Sequence, residues 1–192
     1  MACSNVCIAM RNTQALGSDW PSVSESSRSM TAGSGSTPNP DKDLPSASPS
    51  LDQEMAGGHI LVVEDNPADV FLIRETIEAS GIKVPIHIVK DGEEATRFFD
   101  NADSDDSAPC PSLVILDINL PKKHGIQVLQ HLRRSHRCRG ASVIVVSTST
   151  AAKDREDVIL NGADAYFCKP SKYDDFLKLA DLIREWFPKT TK

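Results

Sequence analysis

The chain has 192 residues, 25% of them charged, and a formal net charge of −6. That balance argues against a protein that coats nucleic acid, and no run approaches the ~18–20 apolar residues a membrane span requires. The opening "MACSNVCIAMRNTQALG" is weakly hydrophobic with no basic residue ahead of its apolar part, so no signal peptide is read there.

Residues 1–58 differ from the rest. They contain twelve serines and five prolines, with "TAGSGSTPNP" and "LPSASPS" as the clearest tracts. Such a stretch buries too little apolar surface to offset the entropy of ordering it, so a disordered leader is predicted. Two alternatives stay open. "MAGGHILVVEDN" reads as a natural start, which would make Met55 rather than Met1 the initiator; or part of the leader folds onto the domain or onto a partner. The five cysteines (Cys3, Cys7, Cys110, Cys138, Cys168) are an odd number without C-x-x-C spacing. They indicate neither a disulfide framework nor a zinc site, and reduced thiols in a cytoplasmic protein are expected.

Residues 59–192 alternate short apolar runs with amphipathic stretches. "HILVVED" is a strand, closed by Asn66-Pro67, a cap residue followed by proline at the first helical position. Val70, Ile73 and Ile77 then keep helical spacing until Gly81. "IHIVKDG" is a second strand with an Asp-Gly turn, followed by a helix through "EEATRFF". "LVILD" is the third strand, and Ile126, Leu129 and Leu132 mark the third helix. "SVIVVST" is the fourth strand, and "KDREDVILNGA" a helix ended by Gly162, with its charges on a solvated face. "AYFCKP" is the fifth strand, where Cys168 reads as a small buried residue. Phe176, Leu179, Ile183 and Trp186 put one apolar face on a last helix. No internal repeat is visible. Five β-α units with fully apolar strands predict an α/β fold, a parallel sheet covered on both faces.

In open α/β sheets ligands bind beyond the carboxyl ends of the strands, and four of the five strands end there in a polar group. Glu64 and Asp65 follow "ILVV", Asp117 follows "LVIL", Ser147 follows "VIVV", and Lys169 follows "AYFC". Any one of them alone reads as a turn former or helix cap. Together they make a metal-assisted phosphoryl site: carboxylates for Mg²⁺, a lysine and a hydroxyl for phosphoryl oxygens, and an aspartate able to act as nucleophile. An ionised carboxylate such as Asp117 at the end of the most apolar run needs such a setting, because burying it unpaired is costly.

On these residues the segment 59–192 resembles the response-regulator receiver family of two-component signalling. Glu64-Asp65, Asp117, Ser147, Tyr166 and Lys169-Pro170 fall in the family's order, with thirty residues from Asp117 to Ser147 and twenty-two from there to Lys169. The resemblance implies a flavodoxin-like, doubly wound five-stranded parallel sheet of strand order 2-1-3-4-5. It implies that Asp117 is the phosphoacceptor, taking a phosphoryl group from a phosphohistidine on a partner. Asp65, Asp117 and the carbonyl of Asn119 would hold Mg²⁺, with Glu64 acting through a bound water. Lys169 and Thr148 would line the phosphate, Ser147 would swing toward it, and Tyr166 would enter the space Ser147 vacates. Pro170 would follow a cis peptide, an isomer that X-Pro bonds tolerate. Glu64 stands where the family more often has aspartate, and Ser147 where it more often has threonine. Neither departure removes a needed group.

"DINLPKKHGIQVLQHLR" and "VVSTST" most resemble stand-alone receivers that partner phytochrome histidine kinases. The resemblance thus implies a signalling protein rather than an enzyme, one that catalyses only its own phosphotransfer and dephosphorylation. A histidine kinase or phosphotransfer protein would be its donor and an unknown downstream protein its target, with neither nucleic acid nor membrane as partner. A homodimer through helix four, strand five and helix five is a further expectation. Two other readings remain. In a haloacid dehalogenase-like phosphatase, Asp117 would be a nucleophile for a small substrate; that family needs a second carboxylate two residues on, where Asn119 stands. A degenerate receiver would serve only as a binding module. His124, His131 and His136, around the third helix, lack an acidic ligand cluster and are expected at the surface.

Overall fold

The computed structural model describes Val6–Cys7 and residues 58–188. The expectation of a disordered leader over 1–58 and the choice between Met1 and Met55 therefore lie almost wholly outside the described residues. In chain order the elements are β1 (Val6–Cys7), β2 (Ile60–Val63), α1 (Pro67–Ser80), β3 (Ile86–Val89), α2 (Gly92–Ser104), β4 (Leu113–Asp117), α3 (Gly125–Arg134), β5 (Ser142–Ser147), α4 (Ala152–Leu160), β6 (Ala165–Cys168), α5 (Tyr173–Phe176) and α6 (Leu179–Trp186).

Strands β2 to β6 are the five expected strands. They form a parallel sheet in the order β3-β2-β4-β5-β6, which is 2-1-3-4-5 when counted from β2. One strand goes beyond expectation. β1 lies antiparallel along the outer edge of β6, pairing Val6 with Phe167 and Cys7 with Tyr166. Two residues of β pairing leave no periodicity for sequence reading to find.

Because side chains alternate along a strand, the sheet has two apolar faces. Leu61, Val63, Val114, Leu116, Val143, Val145 and Tyr166 pack against Ala95 and Phe99 of α2, Val128, Leu129 and Leu132 of α3, and Val158 of α4. Ile60, Val62, Ile115, Ile144, Val146 and Phe167 pack against Ile73 and Ile77 of α1 and Leu179, Leu182 and Ile183 of α6. Burial on both faces explains why the strands are continuous apolar runs.

The helix ends follow local chemistry. Asn66 Oδ1 accepts the Ala68 N–H at 3.0 Å, Pro67 opens α1, and Gly81 leaves it in the left-handed conformation at φ 76°. The last helix is broken where one was expected. Ala180 N–H donates to the Leu177 carbonyl and Asp181 N–H to the Lys178 carbonyl, three residues back, so the chain tightens between α5 and α6. This turn keeps both Phe176 and Leu179 buried. From α6, Arg184 donates to the carbonyls of Ala79 and Ser80, satisfying the end of α1.

The thiol expectation is corrected. Cys110, before β4, and Cys138, before β5, are joined by a disulfide with their Cα atoms 5.5 Å apart, inside the bridging range. An odd count of cysteines could not reveal a pair that only the adjacency of β4 and β5 brings together.

Candidate functional site

Each predicted polar residue stands at the carboxyl edge of the sheet. Glu64 and Asp117 are buried there at 1% and 7% exposure, while Asp65 and Asn119 reach solvent. Lys169 Nζ sits at the centre. It donates to Asp117 Oδ2 at 2.7 Å, to Glu64 Oε2 at 2.8 Å and to Asp69 Oδ2 at 2.8 Å. The other carboxylate oxygens are held by backbone: Asn119 N–H donates to Asp117 Oδ1 at 3.0 Å and Asn66 N–H to Glu64 Oε1 at 3.1 Å. These turns follow from strands that end on an acid and a chain that folds straight back over it.

Close backbone approach completes the site. A Cβ on Gly125 would lie 2.4 Å from the Asp117 carbonyl oxygen, and one on Gly92 would lie 2.3 Å from that of Lys123. Only glycine lets the β4–α3 loop pack this tightly. Lys122, in the same loop, adopts φ 65° and reaches Asp91 Oδ2 at 2.5 Å.

Four carboxylates around one ammonium leave an excess of negative charge. Burial pushes the Glu64 carboxyl up to about 7 against the pull of Lys169, and the neighbouring Asp117 adds to the rise. Burial works against charge on Lys169, yet its hydrogen bonds to Asp117, Asp69 and Glu64 outweigh that and raise its pKa. Oxygens of Glu64, Asp65 and Asp117 lie within 4.8 Å of one another, and all are hard ligands. The donor set fits a divalent cation of the oxygen-loving kind.

Ser147, at 1% exposure, accepts the Ser149 N–H on its Oγ at 3.2 Å, and its carbonyl accepts the Lys169 N–H at 2.7 Å. Thr148 is exposed. A cleft of about 120 Å³ runs beside the site, lined in part by Asn119, His124, Ser147 and Asp154. Tyr166 is 1% exposed, with its hydroxyl donating to the Ser149 carbonyl at 2.7 Å and the Arg155 guanidinium 5.8 Å from its ring centre. Burial raises its phenol pKa.

One expectation changes, and one residue goes beyond what was expected. No described peptide bond is cis, so Lys169–Pro170 is trans, the isomer favoured by ~0.5–1 kcal/mol when nothing forces the other. Asp69 was missed: an acid in the first turn of a helix reads as a favourable dipole partner, and nothing local reveals its contact with Lys169. Of the histidines, His131 meets Asp100 at 2.7 Å on the surface, and His124 caps α3.

A doubly wound sheet with acids, a hydroxyl and a lysine at its carboxyl edge defines a class of phosphoryl-handling signalling domain. The chain belongs to the response regulator receiver domain family, whose family model matches residues 60–181, and so to two-component signalling. It is 33% identical over 128 residues to the probable methanogenesis regulatory protein FilR2 of Methanothrix harundinacea, across 67% of this chain and 82% of that protein. It is 31% identical over 134 residues to the response regulator Rcp1 of Synechocystis, across 68% of this chain and 89% of Rcp1. Among solved structures, the phosphorylated cyanobacterial phytochrome response regulator RcpA aligns with a TM-score of 0.62 at 30% identity, over 70% of this chain and 96% of RcpA. The Mn²⁺-bound form of Rcp1 aligns with a TM-score of 0.61 at 30% identity, over 70% and 97%. Receivers are signalling proteins that bind a divalent metal, and the family match sets the phosphatase reading aside. No helix among the described residues is long and apolar enough to cross a membrane.

Proposed function

We propose that this chain takes a phosphoryl group from a phosphohistidine onto Asp117 and signals through phosphorylation-dependent protein contacts. The observation that carries this reading is the buried Asp117 with Lys169 Nζ 2.7 Å from its Oδ2. In the transfer a carboxylate oxygen of Asp117 attacks phosphorus. The P–N bond breaks, its electron pair stays on the imidazole nitrogen, and a P–O bond forms.

Glu64, Asp65 and Asp117, with the Asn119 carbonyl, would hold Mg²⁺. When bound, it supplies positive charge that offsets the phosphoryl oxygens. Lys169 turns one of its donors to a phosphoryl oxygen, with Thr148 at the rim. Ser147 rotates toward the phosphoryl group, which breaks its bond to the Ser149 N–H and loosens the loop that Tyr166 holds by the Ser149 carbonyl. The change thereby reaches α4 and β6.

The donor is a histidine kinase or phosphotransfer protein in the cytoplasm. A phytochrome-type kinase is favoured because RcpA is named as a phytochrome response regulator. The target is a downstream protein or a second copy, meeting the face of α4, β6 and α6, where Leu160 stands 84% exposed. Incubation with Mg²⁺ and a small phosphodonor tests the reading. Acid-labile label should map to Asp117 and vanish in Asp117→Asn. No label on the wild-type chain would leave a binding module without phosphotransfer.

A further inference from the structure

We propose that Asp69 is a positioning residue, one that keeps Lys169 aimed at the acceptor carboxylate while the lysine's other partners change state. The inference rests on the phosphoacceptor reading above. Lys169 Nζ has three protons and spends each on a carboxylate: Asp117, Glu64 and Asp69. Two of these three partners have other work. Glu64 and Asp117 belong to the cluster whose oxygens lie within 4.8 Å and suit a cation; Asp69 does not.

Consider what phosphorylation removes. An Asp117 oxygen joined to phosphorus no longer carries the charge that drew Lys169 to it, and Glu64 would be shared with a cation when one is bound. An ammonium on a flexible four-carbon stem then needs another anchor, since it orients as a point charge and not as a rigid fork. Asp69 supplies that anchor from α1, a different element from any strand-end acid. Its side chain is 22% exposed and that of Lys169 only 8%, so the pair is screened less than a surface contact. Tethered on one side, Lys169 can turn one of its N–H donors from Asp117 to a phosphoryl oxygen, keeping its own proton, without swinging out to solvent.

The competing role has the opposite sign. If Asp69 were only a negative charge beside the site, it would repel an incoming phosphoryl group, and its removal would tighten binding. Titration of the full chain with beryllofluoride in saturating Mg²⁺, followed by fluorine NMR, separates the two. Asp69→Asn and Asp69→Ala should weaken beryllofluoride binding roughly three- to tenfold, the scale of one partly buried charge-assisted contact. Asp69→Glu should recover part of the loss. Mg²⁺ affinity measured alone should change less than about twofold, since Asp69 lies outside the cation cluster. On a Lys169→Ala background, Asp69→Asn should add nothing.

Unchanged or tighter beryllofluoride binding in Asp69→Asn would overturn the proposal, as would an equal loss of Mg²⁺ affinity, which would make Asp69 a metal ligand. If the wild-type chain itself binds no beryllofluoride, the phosphoacceptor reading falls first, and the Asp69 role with it.

Discussion

Tyr166 is tied to Ser149: the phenol donates to the Ser149 carbonyl at 2.7 Å, and the Ser149 N–H in turn donates to Ser147 Oγ at 3.2 Å. The relay joins the carboxyl edge of the sheet to the loop before α4 through two hydrogen bonds. Tyr166→Phe should cost about 0.5–1.5 kcal/mol, the net value of one such bond, in chemical unfolding. Both Tyr166→Phe and Ser147→Ala should still take label at Asp117 yet blunt the change in α4 amide shifts on adding beryllofluoride. Wild-type shift changes in both variants would show that the signal leaves by another route.

The raised Glu64 sets a pH dependence. Its folded pKa of about 7 lies above its ordinary value of 4.5, so the folded state holds the extra proton between them. This contribution to stability is complete below pH 4.5 and is lost as pH rises through 7. A cation prefers the ionised carboxylate, so Mg²⁺ should raise the melting temperature more at pH 8 than at pH 5.5. Equal shifts at both pH values, measured by calorimetry, would remove Glu64 from the linkage.

Gly125 packs against the backbone at the end of β4. In Gly125→Ala the new methyl would meet the Asp117 carbonyl oxygen at 2.4 Å and Ile118 Cα at 2.7 Å, both main chain and unable to rotate away. A loss of about 1–3 kcal/mol is expected, the usual cost of overpacking. Mg²⁺ affinity should fall as well, because the strand end that moves carries Asp117.

The Cys110–Cys138 bridge closes a loop of 28 residues that contains all of β4 and α3. By loop-closure entropy it is worth roughly 3–4 kcal/mol. Reducing agent should therefore lower the melting temperature of the wild-type chain and leave Cys110→Ala unaffected. A melting temperature indifferent to reductant would show that the two thiols are not joined in solution.

What could be read from sequence depended on range. Strands β2 to β6 were legible because apolar runs ended by acids, Gly or Asn-Pro are local signals, and the carboxyl-edge rule then collected Glu64, Asp65, Asp117, Ser147 and Lys169 at one place. Asp69 was hidden because its partner Lys169 is 100 residues away, and an acid in the first turn of α1 is already accounted for by the helix dipole. The Cys110–Cys138 pair was hidden for the same reason. The break between α5 and α6 was masked by apolar spacing that fits both one helix and two, since Phe176 and Leu179 are three residues apart either way.

An unpaired outer strand is a template on which another chain can grow, and proteins blunt such edges to stay apart. In this sheet β6 would be that edge, and β1 occupies it through Val6 and Cys7, opposite Phe167 and Tyr166. Self-association by strand addition is thereby closed off along β6. On this side of the sheet the surface left for recognition is the side chains of α4 and α6, where sequence can tell one partner from another, and not the hydrogen-bond ladder of β6.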